Sequence, residues 1–459
     1  INISSLWSTY DYSKYTMRGG SDLIHEETGL KKDYAMSWSY GKTETFNLLI
    51  PNLYGGSSKS YIEDTSSEVY KQFNEWGKKE LDIDYTLYDK LIKKYDSRRI
   101  TEKEIENLVQ LDTKIQQNQP IIQPLRQIAF EYWGPQSFTS GPVYLGSTVF
   151  FLFFLSLFLF FHDTQRVKII KICLLGLCFF SLLLAWGSNL EWFNNLFFNY
   201  FPLYNKFRTV SMILIIVQLI VPIIAILGLH RFLNSDINKQ IKRNKILLAG
   251  GVVVVICLGF VFFWNQFYTF SNDLSIEYTS FFDTLKNEHY SLLKNDVIRS
   301  IALVFLSFLI LFFHNKKGLS NTQTLILLTS LILFDLWDAN KRYLNNDDFI
   351  QKSKMEKPYD FPTDDEIIKS DTTVFRVLNV DEGFSGTNTS YYFHSLGGYH
   401  GAKLSKYQNL IDSVFFSRNP NSAFRMLNTK YIIQNKNVIK TDSQFGQSPL
   451  GNAWFVQNI

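Results

Sequence analysis

Lys206 and Arg208 flank a single phenylalanine in the run Tyr204-Asn205-Lys206-Phe207-Arg208, immediately before a long apolar stretch. Two cations set among aromatic rings suit an anion. They can anchor a helix end at lipid headgroups, or hold a lipid-linked phosphate, since guanidinium and ammonium groups are natural phosphate partners. Arg18, in Tyr15-Thr16-Met17-Arg18-Gly19-Gly20, is a third cation of the same kind. A second set combines rings with glycines and polar groups: Trp38, Tyr40 and Glu44 in one run, Trp186 in Ala185-Trp186-Gly187, and Tyr399, His400 and Lys403 in a glycine-bearing run. Rings stack on the apolar faces of sugars while polar neighbours satisfy hydroxyls, which makes these residues candidate sugar or acceptor contacts. The same composition also builds ordinary ordered loops.

Asp335 and Asp338 stand at the end of an apolar run, followed by Lys341 and Arg342. A carboxylate at membrane depth is costly and is a functional candidate on that ground. A salt bridge from Asp335 to Lys341 or Arg342 at the boundary is the simpler reading. No phosphate-binding glycine loop, dinucleotide fingerprint, nucleophile elbow or HExxH zinc motif is present. His394 and His400 are the only near pair of histidines, with no further ligand at metal spacing, so no metal site is assigned. Cys173, Cys178 and Cys257 all fall in apolar runs and read as small core residues.

The elements that must position these groups are set by hydrophobic run length. A chain of 459 residues would suggest about three soluble domains. Its apolar residues, however, crowd into the middle. Aromatics make up 16% of the chain and 41 residues are Phe, more contiguous apolar surface than a soluble core can hide. Six runs read as membrane spans or near-spans, at about 143–161, 169–187, 209–229, 246–264, 299–313 and 323–337, against the ~20 apolar residues that a span needs. The last two are short, and Arg299, His314 and Trp337 can extend them from the interfaces. The fold class expected is therefore an α-helical polytopic membrane protein. A water-facing, partly helical segment, 1–141, precedes the core at 142–337, and a small α/β domain, 338–459, follows it.

Alternating spans put loops 162–168, 230–245 and 314–321 on one side, with nine basic residues in 31 positions, against four in 55 for loops 188–208 and 265–298. The dense loops are expected in the cytoplasm. Residues 1–141 and 338–459 then lie outside, on the periplasmic or extracellular face, and Lys206 and Arg208 stand on the side poor in basic residues. The net charge of +4 forms no basic stripe, which argues against a nucleic-acid partner.

Within the polar segments, Thr101 to Glu104 has the form of a capping box, and Thr363 to Glu366 repeats it. Residues 66–96 have helical composition. Strands are expected at Val374 to Val380, Tyr431 to Ile433 and Trp454 to Val456, with helices from Ser405 to Phe415 and Ser422 to Leu427. The chain begins with Ile, carries no signal-peptide pattern and stops after a strand-like run, so both ends are expected to be truncations, with further membrane helices upstream.

Several stretches, in this order along the chain, resemble the YfhO family of bacterial membrane proteins. They are Tyr12–Gly19, Trp38–Gly41 with Leu49–Asn52, Trp133–Tyr144, Leu184–Gly187, Tyr204–Arg208, Asp335–Trp337 with Lys341–Leu344, Gly397–Lys403, Met426–Tyr431 and Gly451–Trp454. Residues 57–120 match no motif of that family and read as an insertion. The resemblance implies a C-type glycosyltransferase (GT-C) fold and the transfer of sugar from a polyprenyl-phosphate carrier to a cell-envelope glycan or polymer on the outer face. That reaction needs cations to receive the departing lipid phosphate, and Lys206, Arg208 and Arg18 are the residues expected in that role from their own setting. The catalytic carboxylate is expected upstream of residue 1; neither Glu44 nor Asp335 matches its position. No resident cofactor is predicted, and a divalent metal requirement is left open. Two other functions compete: a flippase for a lipid-linked precursor, disfavoured by spans that are almost entirely apolar in their middles, and an envelope assembly protein without chemistry.

Overall fold

The computed structural model describes residues 2–19, 29–97, 99–268, 279–359, 361–363, 366–415, 420–446 and 448–455. The chain divides into two compact units. One comprises Ile1–Ala35, Leu196–Arg208 and Asn346–Ile459; the other comprises Met36–Asn195 and Thr209–Asn345.

Helix α1 (Ile3–Ser13) opens the chain. Among the described residues of the polar segment, four longer helices follow: α2 (Glu68–Trp76), α3 (Tyr85–Asp96), α4 (Glu102–Gln117) and α5 (Gln119–Ile128). Each of the first three of these has a side-chain cap. Ser67 accepts from the Tyr70 amide, Asp84 from Leu87, and Thr101 and Glu104 form the reciprocal box read from the sequence. Their apolar faces, with Val69, Phe73, Tyr85, Ile115 and Leu125, enclose one core.

The apolar helices are α6 (Ser147–Phe158), α7 (Gln165–Ala185), α9 (Leu214–Asn234), α10 (Lys239–Phe262), α11 (Thr279–Asn315) and α12 (Asn321–Lys341), with a short helix, α8 (Glu191–Tyr200), between α7 and α9. Five of the six are long and apolar enough to cross a membrane; α6 is not. The span expected at 143–161 is therefore corrected to a helix of 12 residues, about 18 Å long. Burial explains why it can be short. Phe151 and Leu155 are fully buried, and α6 packs on α9, α10, α11 and α12, so its middle meets protein rather than lipid. Gly228 of α9 makes that approach close: a methyl group there would sit 2.3 Å from the Ser156 Cβ.

The run at 299–313 is likewise the second half of a longer element. Helix α11 has 37 residues, about 56 Å, against a hydrocarbon thickness of ~30 Å. Its first half leaves the apolar zone and enters the core of α2 to α5 through Phe281 and Leu285. There the His289 ring bridges the Tyr268 hydroxyl, at 2.9 Å, and the Phe130 carbonyl, at 2.8 Å. The helices of residues 68–128 are thus built around the extension of a span.

At the other end, the Asn315 amide donates to Lys239 O at 2.8 Å and Lys242 donates to Ser235 O at 2.9 Å, joining two of the three basic loops. Lys171 and Asp163 form a 2.7 Å ion pair with side chains 0% and 1% exposed. Asp163 lies in the bend before α7 and Lys171 near the start of that helix, so the neutralised pair leaves the middle of the span apolar.

In the other unit, the C-terminal segment holds α13 (Glu366–Ser370), β1 (Arg376–Asn379), α14 (Ser405–Leu410), α15 (Asn421–Met426), β2 (Thr429–Gln434) and β3 (Asn437–Lys440). Strand β2 is central, parallel to β1 and antiparallel to β3. Alternation sends Val377, Tyr431 and Ile433 to one core and Leu378 and Ile432 to another. Two strands stand where expected. The third does not: Trp454 and Phe455 are irregular, and the third strand is β3, which a tight turn at Asn435 and Lys436, both at positive φ, folds back onto β2. Val456 lies outside the described residues, as do positions 364 and 365 of the expected second capping box, whose Thr363 hydroxyl donates to Lys436 O at 2.5 Å.

Candidate functional site

The candidate cations come together in one unit. Arg18 donates through Nε to Gly401 O at 3.0 Å and through Nη1 to Lys206 O. The backbone around it is pinned to the 403–405 run by Met17 N to Lys403 O, 2.9 Å, and Ser405 N to Tyr15 O, 3.0 Å. Arg208 donates to the Tyr34 hydroxyl at 2.5 Å and the Tyr399 hydroxyl at 3.3 Å, and its guanidinium lies 5.0 Å from the Tyr34 ring centre. Leu30 N donates to Asn205 O at 2.9 Å. Arg18, Lys206, Arg208, Tyr399 and the backbone of Lys403 therefore meet, although they are up to 385 positions apart in sequence. His400 turns its ring back on its own loop, accepting from Ala402 N at 3.1 Å.

Two features mark the Lys206 segment. Leu203 and Thr209, with φ of 66° and 69°, bracket it in the left-handed region that branched residues avoid, at a cost of roughly 1–3 kcal/mol each. The Lys206 ammonium is half-buried and has no hydrogen-bond or ion-pair partner among the described residues, and burial holds its pKa below the ordinary lysine value.

Trp38, Tyr40, Glu44 and Trp186 gather in the other unit. The turn after α7 docks on residues 39–45: Tyr40 N donates to Ala185 O at 2.8 Å, Asn189 to Tyr40 O at 3.0 Å, Ser188 N to the Ser39 hydroxyl at 2.8 Å and the Trp186 indole to Thr45 Oγ1 at 2.9 Å. Gly187, at φ +45°, is required here, since a Cβ would lie 2.1 Å from Ser39 Oγ. Trp38 donates to Phe138 O at 3.0 Å and meets the Phe138 ring edge-on.

Glu44 is 1% exposed. Its carboxyl accepts from Gly41 N at 2.8 Å, the Tyr132 hydroxyl at 3.0 Å and the Gln136 amide at 2.8 Å. Burial outweighs these bonds and pushes its pKa up to about 6. The nearby Tyr40 hydroxyl is buried without a partner among the described residues. A carboxyl raised in the folded state is neutral and carries no penalty below about 4.5, and its ionisation opposes folding as pH rises through about 6. Thermal stability of the wild type is expected to fall across that window relative to Glu44→Gln, by on the order of 2 kcal/mol. Parallel pH profiles of the two proteins would refute this by having the same slope.

Asp335 is fully buried, and its partner is neither Lys341 nor Arg342. That expectation is corrected. Arg299 of α11 bonds Asp335 Oδ1 at 2.9 Å and Asp338 at 2.9 Å, while Arg342 bonds Asp338 at 3.2 Å and Asp296 at 2.8 Å. Asp335 also accepts from the Tyr144 hydroxyl at 2.7 Å and from Ser147 N at 2.9 Å, which caps α6. Asp296 accepts from Asn52 N at 3.0 Å. Three carboxylates and two guanidiniums thus join α11, α12, the start of α6 and the 49–52 turn. Arg299 does not serve as a lipid-facing anchor.

A cavity of about 550 Å³ opens between the end of α10 and the first half of α11, lined in part by Trp264, Asn265, Asp283, Lys286, Asn287 and Tyr290. Rings beside amides and both charge signs suit a hydroxylated ligand. These residues were not legible as a site, because two helices separated by a long connection supply them. Tyr34, Tyr132 and Gln136 carried no local signal either. Among the described residues no group of three or more His, Cys, Asp or Glu is placed to hold a metal ion. Comparison of the chain with protein-family models, curated proteins and solved structures gives no match.

Proposed function

We propose that this multi-pass membrane protein is a GT-C-type glycosyltransferase of the YfhO kind, moving a sugar from a polyprenyl-phosphate carrier to a cell-envelope glycan or polymer. The observation that carries this reading is the Lys206 ammonium: half-buried, without a partner among the described residues, and held in a segment bracketed by two strained residues. Strain and an unneutralised, partly desolvated cation are both costs to folding, and an anionic ligand would offset the second. Arg18 carries no carboxylate partner among the described residues, since its guanidinium is spent on two carbonyls.

In the proposed reaction the acceptor oxygen bonds to the anomeric carbon. The bond from that carbon to the phosphate oxygen breaks, its electron pair leaves with the lipid phosphate, and the acceptor proton passes to a carboxylate base. Lys206, Arg208 and Arg18 stabilise the charge that grows on the departing phosphate. No residue of this chain is assigned as the base. The aromatic and amide-lined cavity beside Trp264 has the character that a hydroxylated acceptor needs.

The test is a donor panel. Purified full-length protein, including the upstream region that would carry the carboxylate base, is expected to release lipid phosphate with one donor when mixed with a series of polyprenyl-phosphate sugars and a glycan acceptor. Silence across the panel from folded protein would overturn the reading in favour of transport or assembly.

A further inference from the structure

Helix α8 has its polarity reversed. Asn194 is fully buried and donates to Leu183 O at 3.0 Å, while Trp192, Leu196 and Tyr200, on the opposite side, are 73%, 55% and 80% exposed. In water a surface helix does the reverse, burying its large apolar side chains and solvating its amides. Spacings of four residues place Trp192, Leu196 and Tyr200 on one stripe. The chain beyond continues the pattern with exposed Phe201, Leu203 and Phe207.

Chain connectivity says what covers this stripe. Helix α8 lies between two membrane spans, one ending at Ala185 and the next beginning at Val210, so both ends of the connection are pinned at one membrane boundary. Ten residues make about 15 Å, half of what a span needs. On its inner side the helix is docked on the end of α7 through Asn194 and through the Phe180 and Phe193 rings, which meet edge-on with centroids 6.1 Å apart. Phe179 and Phe180 of α7 and Met212 and Ile215 at the next span are themselves exposed, so the spans that flank the connection in sequence also carry uncovered large apolar side chains near this boundary. Trp and Tyr are the residues that favour the headgroup level.

We propose that α8 is an in-plane interfacial helix whose Trp192, Leu196 and Tyr200 face lies in the lipid leaflet, at the headgroup and acyl boundary. The inference rests on the membrane spans alone and holds whether or not the protein transfers sugar.

The unmodified protein would be reconstituted in nanodiscs of phosphatidylethanolamine and phosphatidylglycerol containing a phospholipid with a diazirine in its acyl chain. Photolysis and peptide mass spectrometry locate the carbene adducts. A parallel sample without the diazirine lipid is exposed to hydroxyl radicals from water. Carbene labelling of Trp192, Leu196 and Tyr200 is expected to approach that of Phe179 and to exceed that of the exposed Leu87 and Tyr95 by about tenfold or more, with correspondingly weak radical labelling. Strong radical labelling with little carbene would overturn the proposal by placing the stripe in water. Protection from both reagents would overturn it too, by showing that protein covers the stripe.

Discussion

Replacing Lys206 and Arg208 together by Gln is expected to lower donor turnover by roughly 100-fold or more, the scale on which losing preorganised stabilisation of a developing charge acts. The two side chains should contribute unequally to folding. Lys206 has no partner among the described residues, so its charge can be removed without breaking an internal bond, and relief of its desolvation favours the folded state. Arg208 holds the Tyr34 and Tyr399 hydroxyls, and its loss is expected to cost on the order of 1–2 kcal/mol. A Lys206→Gln variant that keeps wild-type stability yet loses donor phosphate release would separate ligand binding from architecture. Lys206→Arg keeps the charge and is expected to retain much of the activity. Wild-type turnover in the double variant would remove these cations from the mechanism.

Arg299→Met is expected to destabilise the membrane core by roughly 3–5 kcal/mol, because it strands the fully buried Asp335 carboxylate. Arg299 also bonds Asp338 and the Asp335 carbonyl, so one substitution opens the link between α11 and α12. The companion Arg299→Met, Asp335→Asn variant should recover part of the loss, since a neutral amide can still meet Tyr144 or Ser147 without burying an unpaired charge. Unfolding in mixed detergent micelles would measure the three proteins side by side. Additive effects of the two substitutions would mean that the residues act independently, and the network argument would fail. The alternative partner considered from sequence, Arg342, is engaged instead with Asp296 and Asp338.

Reading outwards from the sequence works where the signal is local. Run length located six apolar helices among the described residues, five of which meet the length that the hydrocarbon zone requires. It failed on the length of two. Burial inside protein frees α6 from spanning, and α11 continues past its apolar stretch because Phe281 and Leu285 pay out their burial into another core. Neither circumstance is written in hydropathy. The capping box at Thr101 was legible because its donors and acceptors lie three residues apart. Strand β3 was missed: the sequence Asn437–Lys440 has only two apolar residues, and it is a strand because the turn at Asn435 and Lys436 presents it to β2.

Among the candidate residues, type and setting were readable and grouping was not. By itself the sequence determined that this chain crosses a membrane, that cations stand beside the spans, and that rings and glycines accompany them, because each of those follows from composition within a few turns of chain. Only the tertiary structure decided that Arg18, Lys206, Arg208 and Tyr399 meet in one unit while Trp38, Tyr40, Glu44 and Trp186 pack in the other. It also decided that Asp335 belongs to Arg299. Both outcomes depend on contacts between residues tens to hundreds of positions apart, and such contacts are selected by the packing of whole helices and loops, which no local pattern encodes.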